Sequence, residues 1–304
     1  MADLLANPHS CAACKALGCK MKCPCKQVNY CGKDCQKADW PLHKLRCAAL
    51  MDRKVKDKKR EHGKDDIKVG HARLDAGKIH YQEGRYQEAE RCLIEARRIY
   101  TEHYGNEAAK RFGEEHRVAY NAYNPEIADV CICLGELYDA SGQYDKSIEV
   151  LQEALDIRRR IDETGRSIKV GEALSLMART LSSMHRHKEA LAMQEQAQVI
   201  YEETFGAEHE STADVLSDKA HTYMGLQQVD KALETYRRVH RIWAKVHGAE
   251  SEEAATAILN IGCAYGSLGK LAEEKAQYQE ALEICRRLHG EKHPMVSVAA
   301  HTCL

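Results

Sequence analysis

Five stretches of sequence after Ile67 superimpose on one another, and a chain that repeats at this spacing has few folds open to it. Small residues stand at Gly77, Gly135, Ala178, Ala220 and Gly262, and three places later come His80, Tyr138, Leu181, Tyr223 and Tyr265. A turn follows, then Ala89, Ser147, Ala190, Ala232 and Glu274, and farther on Ala96, Ala154, Ala197, Val239 and Ala281. Glycines close the units at Gly105, Gly165, Gly206, Gly248 and Gly290, the last three steps being 41, 42 and 42 residues. Such a period belongs to a solenoid, in which one unit cannot bury its own apolar face and stacks on its neighbours instead.

Each unit reads as two helices. In the second, helix A runs from about Pro125 to Ala140, Ser141-Gly142-Gln143 forms the turn, and helix B runs from about Tyr144 to Ile161. Val150, Leu151, Ala154, Leu155 and Ile157 recur at helical spacing. Gly135 lets helix B approach helix A closely, and Tyr138 fills the space between turns. The step from Gly105 to Gly165 is 60 residues, so about 18 extra residues fall near Asn106–Tyr123. They read as an extended helix B or a surface loop, either tolerated or contributing to a binding face. The chain stops at Leu304, halfway through helix A of a sixth unit. That end reads as a fragment of a longer protein or as a half-helix serving as a lid.

The first 47 residues carry a different signature: Cys11-x2-Cys14, Cys23-x-Cys25, Cys31-x3-Cys35 and His43-x3-Cys47. These eight soft donors suffice for two tetrahedral zinc ions with no position left for water or substrate, so the metal builds structure and does no chemistry. Residues 11–47 hold too little apolar sequence to fold without metal. Residues 1–66 have 15 Lys and Arg against 8 Asp and Glu, whereas the rest has 30 against 38. The head is therefore basic and the repeats acidic. Met1–Ser10 lacks the basic and apolar regions of a signal peptide. No run reaches the roughly 18 apolar residues of a membrane span. Fourteen cysteines without a secretory signal point to a reducing compartment, cytoplasmic or nuclear.

The run Tyr30-Cys31 … Cys35-Gln36 … Trp40 … His43 … Cys47 resembles a MYND-type zinc finger, whose signature in this half is Y-C-x3-C-Q-x3-W-x2-H-x3-C. The resemblance covers residues 11–47 and implies cross-braced zinc sites, one held by Cys11, Cys14, Cys31 and Cys35, the other by Cys23, Cys25, His43 and Cys47. The family's second pair is usually C-x2-C, and here it is Cys23-Pro24-Cys25. Cys19 is a spare thiol that could replace Cys23. Residues 67–304 resemble tetratricopeptide repeats of the kinesin-light-chain kind, with Val246-His247-Gly248 and Leu288-His289-Gly290 similar to that kind's inter-repeat loops. The expected fold is thus mainly α: a small cross-braced two-zinc finger at 11–47, a charged linker at 48–66, and an α-solenoid of about five repeats plus a partial sixth at 67–304.

Both resemblances imply protein partners. A MYND finger implies binding of short, often proline-containing peptides, with Gln36 as a polar anchor and Trp40 as an indole on which proline stacks. Trp40 packing the finger's small core is the other reading. In the solenoid, helix A faces line a groove, and Asp129, Glu136, Arg179, His221 and Asn260 are the expected contacts. Asn260, in Leu259-Asn260-Ile261-Gly262, is similar to an Asn that contacts ligand backbone in the resembled family, although the other repeats lack it. For the charged members of this set, a solvated helix face is the alternative.

The basic run Arg53–Arg60 reads as a solvated, partly helical spacer, an import signal or a nucleic-acid patch. No aromatics interleave its charges. Cys92, Cys131, Cys133, Cys263, Cys285 and Cys303 read as buried small residues on helices. No histidine sits beside a credible nucleophile, no phosphate loop is present, and only ten residues precede Cys11, which leaves no room for the SET methyltransferase fold that accompanies some MYND fingers. The function expected is a non-enzymatic adaptor or scaffold without a small-molecule substrate. The alternatives are a nucleic-acid or chromatin-associated regulator, and a fragment or subunit of a larger enzyme.

Overall fold

The computed structural model describes residues 21–22, 29–30, 48, 50–116, 121 and 123–290. The chain divides into two compact units, Met1–Gln143 and Tyr144–Leu304.

In the first unit, β1 (Met21–Lys22) pairs antiparallel with β2 (Asn29–Tyr30), Met21 opposite Tyr30 and Lys22 opposite Asn29. Helix α1 covers residues 50–62, α2 is Ile67–Gln82 and α3 is Tyr86–Phe112. A 3-10 turn follows at Glu114–His116, and α4 is Pro125–Ala140. Asn124 caps α4 by accepting from the Ile127 amide, with Pro125 opening the helix.

The second unit continues the A/B alternation. It contains α5 (Tyr144–Ile161), α6 (Ile168–Ser183), α7 (His187–Phe205) and α8 (Glu210–Gly225). Then come α9 (Val229–His247), α10 (Glu252–Ser267) and α11 (Leu271–His289). Helix α9 buries Val239, Ile242 and Trp243 with Ala213 and Leu216 of α8 and Ala257 of α10, and Leu233 and Tyr236 with Ala220 of α8 and Ile261 of α10. A B helix thus needs the A helices on both sides to cover it, which is the stacking that the period predicts.

One device closes every A-to-B turn. The amide five places after the hallmark residue reaches back to its carbonyl: Arg85 to His80, Gln143 to Tyr138, Arg186 to Leu181, Gln228 to Tyr223 and Lys270 to Tyr265, all at 2.8–3.0 Å. This six-to-one closure needs a left-handed residue just before its end. Gly84, Gly142 and Gly269 supply it in three turns, whereas His185 and Gln227 adopt φ of 59° in the other two. Gln227→Gly is expected to stabilise the protein by about 0.5–1 kcal/mol, because the left-handed region strains any residue with a Cβ. An unchanged or lower unfolding midpoint in urea would contradict this.

Two sequence expectations change. Gly105 does not close the first repeat; it lies buried inside α3, which runs on to Phe112 and ends at Gly113 with φ of 103°. The residues after Gly105 (Asn-Glu-Ala-Ala-Lys-Arg-Phe) include good helix formers, so the insertion begins as extra turns of helix B. The basic run is helical, as the partly helical spacer reading has it, but residues 50–62 are docked and not simply solvated. Met51 and Val55 are buried, and Asp52, Lys54 and Lys59 reach His80 (3.0 Å), Asp75 (2.9 Å) and Glu95 (2.7 Å). An apolar stripe of two residues, with charges at the flanks that match α2 and α3, is enough to dock this helix.

Candidate interaction surfaces

The A helices position the polar residues at three places counted from the small residue of the column (Gly135 on α4, Ala220 on α8, Gly262 on α10): six before, two before and one after. On α4 these are Asp129, Cys133 and Glu136, all half-buried; on α8 they are Asp214, Asp218 and His221; on α10, Thr256, Asn260 and Cys263. Helical geometry places each trio on one face, since the spacings are four and three.

In the second unit Arg179 and His221 both act electrostatically on Asp218. Burial raises the Asp218 carboxyl, while the Arg179 guanidinium and the His221 ring oppose that rise. His221 is fixed from behind, its Nδ1 donating to the Ser217 carbonyl at 2.8 Å and its ring standing edge-on to Tyr236 with centroids 5.3 Å apart. Asp214 is also raised, first by burial and then by Asp218 and Glu210, with His247 opposing. Carboxyls whose folded pKa exceeds the unfolded one bind protons more tightly in the native state, so both favour folding less as pH rises through the carboxylate range. Asn260 lies half-buried on α10. In the first unit, Asp129 and Glu136 flank Cys133, whose thiol burial pushes up to about 11.

Sequence reasoning missed Asp214 and Asp218, although the i, i+4, i+7 run Asp214, Asp218, His221 was there to be read. It also treated every helical cysteine as buried. Cys92, Cys131 and Cys285 are, but Cys133 is half-buried and Cys263 exposed because both stand on the polar face of an A helix. Cys303 lies outside the described residues, as do Gln36, Trp40 and the proposed zinc ligands Cys11, Cys14, Cys23, Cys25, Cys31, Cys35, His43 and Cys47. The donor set itself, seven thiols and one imidazole, suits zinc. The pairing of β1 with β2 brackets the sequence that contains Cys23 and Cys25. Among the described residues, no helix is long and apolar enough to cross a membrane, and no cluster of three or more His, Cys, Asp or Glu could hold a metal ion.

The tetratricopeptide repeat model matches residues 126–203, 169–223 and 211–287, more than half of the chain, and a second model of that repeat matches 69–116. The MYND finger model matches residues 11–47. Over 39 residues the chain is 54% identical to the zinc finger MYND domain-containing protein 10 homolog of Drosophila melanogaster, covering 13% of this chain and 9% of that one. Over 26 residues it is 65% identical to the N-lysine methyltransferase SMYD2-A of Xenopus laevis, covering 9% of this chain and 6% of that one. The chain thus spans less than a tenth of the length of these curated relatives. Among solved structures, BtubC (BKLC) from P. vanneervenii superposes with a TM-score of 0.64 at 21% identity, covering 83% of this chain and 94% of that one. The nearly identical TPR-like repeats of a kinesin-light-chain-type protein from Podosopora anserina give 0.56 at 21% identity, covering 72% of this chain and 96% of that one. At that identity the likeness speaks for the fold alone. The chain belongs to the tetratricopeptide repeat family and carries a MYND finger ahead of its repeats.

Proposed function

We propose that this protein is a non-catalytic adaptor inside the cell, in the cytoplasm or nucleus. Its finger takes a short, proline-containing peptide through Gln36 and Trp40, and its A-helix faces take a second protein through Asp129, Glu136, Arg179, His221 and Asn260. Two structural zinc ions hold the finger. The first is bound by Cys11, Cys14, Cys31 and Cys35, the second by Cys23, Cys25, His43 and Cys47. The repeats run over 67–304, and 48–66 joins them to the finger.

What supports the groove half is that Arg179 on α6 and His221 on α8 both act electrostatically on the Asp218 carboxyl of α8. Polar groups from two successive A helices thus lie within electrostatic reach of one carboxyl. Such pre-positioned polar groups give an interface its register and its specificity. Joining two modest binding modules in one chain raises the effective concentration at the second site.

The nucleic-acid alternative draws little from the basic run. Lys54 and Lys59 pair with Asp75 and Glu95, Lys58 with Glu61 and Arg60 with Asp57. Cations already matched to carboxylates release fewer counterions from a phosphate backbone.

The test is a pull-down from native extract with the full chain, Trp40→Ala, and the double variant Arg179→Ala/His221→Ala. Trp40→Ala is expected to weaken one partner set about 30-fold, the 2 kcal/mol of a tryptophan hot spot. The double variant should weaken a different set. Partners that survive both changes would sink the reading.

A further inference from the structure

A cavity of about 350 Å³ opens where the α7–α8 loop meets α9, lined by Ala207, Glu208, Arg238, Arg241, Ile242 and Lys245. Ligand pockets run from about 300 to 1,000 Å³, so it is a small one. Arg238, Arg241 and Lys245 stand three and four places apart and form one stripe along α9. The outer two are matched. Arg238 donates to Glu202 at 2.8 Å and to the Ala207 carbonyl at 3.2 Å, and Lys245 pairs with Glu208. Arg241, between them, is exposed and makes no hydrogen bond or ion pair among the described residues. Lys245 lowers the Glu208 carboxyl, first by its hydrogen bond and then by its charge, and Arg241 and Arg238 add to this from farther away.

The first repeat shows what an arginine at this place takes. Arg98 stands two residues after Ala96, as Arg241 stands two after Val239 in the same column. Its guanidinium holds two carboxylates of this chain, Asp65 at 2.7 Å and Glu102 at 2.8 Å. Asp65 precedes the cap residue of α2 as Glu208 precedes that of α8, and Glu102 follows Arg98 by four places as Lys245 follows Arg241. The fourth repeat thus keeps the loop carboxylate but has a lysine where the first has a glutamate, and that lysine draws Glu208 to itself. The fifth repeat makes the same pair, Arg287 with Glu250, but its residue in the Arg241 column is an acid, Glu283. Like charges three and four apart on a helix repel, and an anion seated among them relieves this.

We propose that this cavity seats a glutamate or aspartate side chain from an acidic segment of a partner protein, its carboxylate accepting from the Arg241 guanidinium with Arg238 and Lys245 beside it. The two carboxylates on Arg98 favour a carboxylate occupant, and a guanidinium can bind one through two parallel N–H donors. Sign also favours an acidic segment. Three cations stand against two carboxylates here, in a repeat region whose balance is 30 Lys and Arg to 38 Asp and Glu. The seat lies on a B helix and a loop. It goes beyond the proposed function and stands or falls without the A-helix faces or the finger.

The experiment uses the full chain and four fluorescein-labelled nonapeptides of Gly and Ser carrying three glutamates, three arginines, one phosphoserine or no charge. Fluorescence anisotropy is read at low and moderate salt. The glutamate peptide is expected to bind at least tenfold tighter than the arginine and uncharged peptides, and less tightly as salt rises. Arg241→Gln should weaken it at least tenfold. Lys245→Glu should do the same with the thermal midpoint unchanged, because the new carboxylate takes Arg241 as Glu102 takes Arg98. Arg53→Gln, exposed on α1 in the basic head, should leave binding unchanged. Helical circular dichroism checks that each variant folds. Equal binding of the glutamate and uncharged peptides, or indifference to Arg241→Gln, would overturn the proposal. So would an equal loss on Arg53→Gln, which would place the acidic peptide on the head. A phosphoserine peptide that binds tenfold tighter than the glutamate peptide would overturn the choice of a carboxylate.

Discussion

Stripping zinc with a strong chelator is expected to unfold residues 11–47 and to leave the helical signal of residues 50–290 nearly unchanged. Structural zinc contributes about 10–16 kcal/mol of apparent binding energy in small fingers, which is more than such a short segment's own core supplies. The loss should stop at α1, because Met51 and Val55 are buried and Lys54, Lys59 and Asp52 hold α1 to α2 and α3 without metal. Metal analysis should find two zinc ions per chain, and limited proteolysis after chelation should cut within 11–47 first. The loss should also set in as pH falls, since thiolate and imidazole ligands must be deprotonated to bind. Cys23→Ala and Cys19→Ala, compared side by side, decide the eighth ligand: the first should lose one zinc and the second none. A single zinc in the wild type, or none lost on Cys23→Ala, would end the cross-braced assignment.

The repeats were legible because helix–helix packing writes itself into sequence as columns. A small residue must stand where two helices touch, as Gly77 does against Leu93, Gly262 against Tyr278 and Ala220 against Leu233 and Tyr236, and the same column holds Gly135 and Ala178. The hallmark residue three places later turned out to own the carbonyl that closes each turn. The period also gave the helix A and helix B bounds of the second repeat, Pro125–Ala140 and Tyr144–Ile161, as they stand in the structure. What escaped was whatever a local pattern does not decide. Gly105 had the right spacing for a terminator, but the seven residues after it continue the helix, and a buried glycine inside a helix looks the same in sequence as one at its end. The docking of α1 depends on partners 21 to 36 residues away, Asp75 for Lys54 and Glu95 for Lys59, which no window of local sequence contains. Within the candidate groove, His221 and Arg179 are marked by their column, yet Asp218, the carboxyl on which both act, carries no such mark. Its importance comes from burial and from a neighbouring helix, and neither is visible in a chain read residue by residue.

The closeness of α2 and α3 sets up the second large effect. A Cβ on Gly77 would stand 2.7 Å from both Cγ and Cδ2 of Leu93, a side chain with no exposed surface. Gly77→Ala gains up to about 1 kcal/mol of helix propensity, but forcing a methyl into this contact costs about 1–3 kcal/mol. The net expectation is a loss of about 1–2 kcal/mol. Leu93→Ala removes the other side of the contact and should cost about 2–5 kcal/mol, the range for emptying a leucine site in a core that relaxes only partly. The two changes are not independent. The methyl that Gly77→Ala adds enters the space that Leu93 vacates, so the double variant should be less destabilised than the sum of the singles by about 0.5–3 kcal/mol. Gly266→Ala is the control. The Cβ there meets the carboxylate of Glu274, the far end of a flexible side chain that can swing aside, so it should be neutral or slightly stabilising. Repeat arrays do not always unfold in one step, so the readout is amide hydrogen exchange across α2 and α3 alongside urea unfolding of the whole chain. Additive losses at Gly77 and Leu93 would show that α2 moves away from α3 when the leucine is cut, and the small-residue column would then mark a tolerated approach, not a required one.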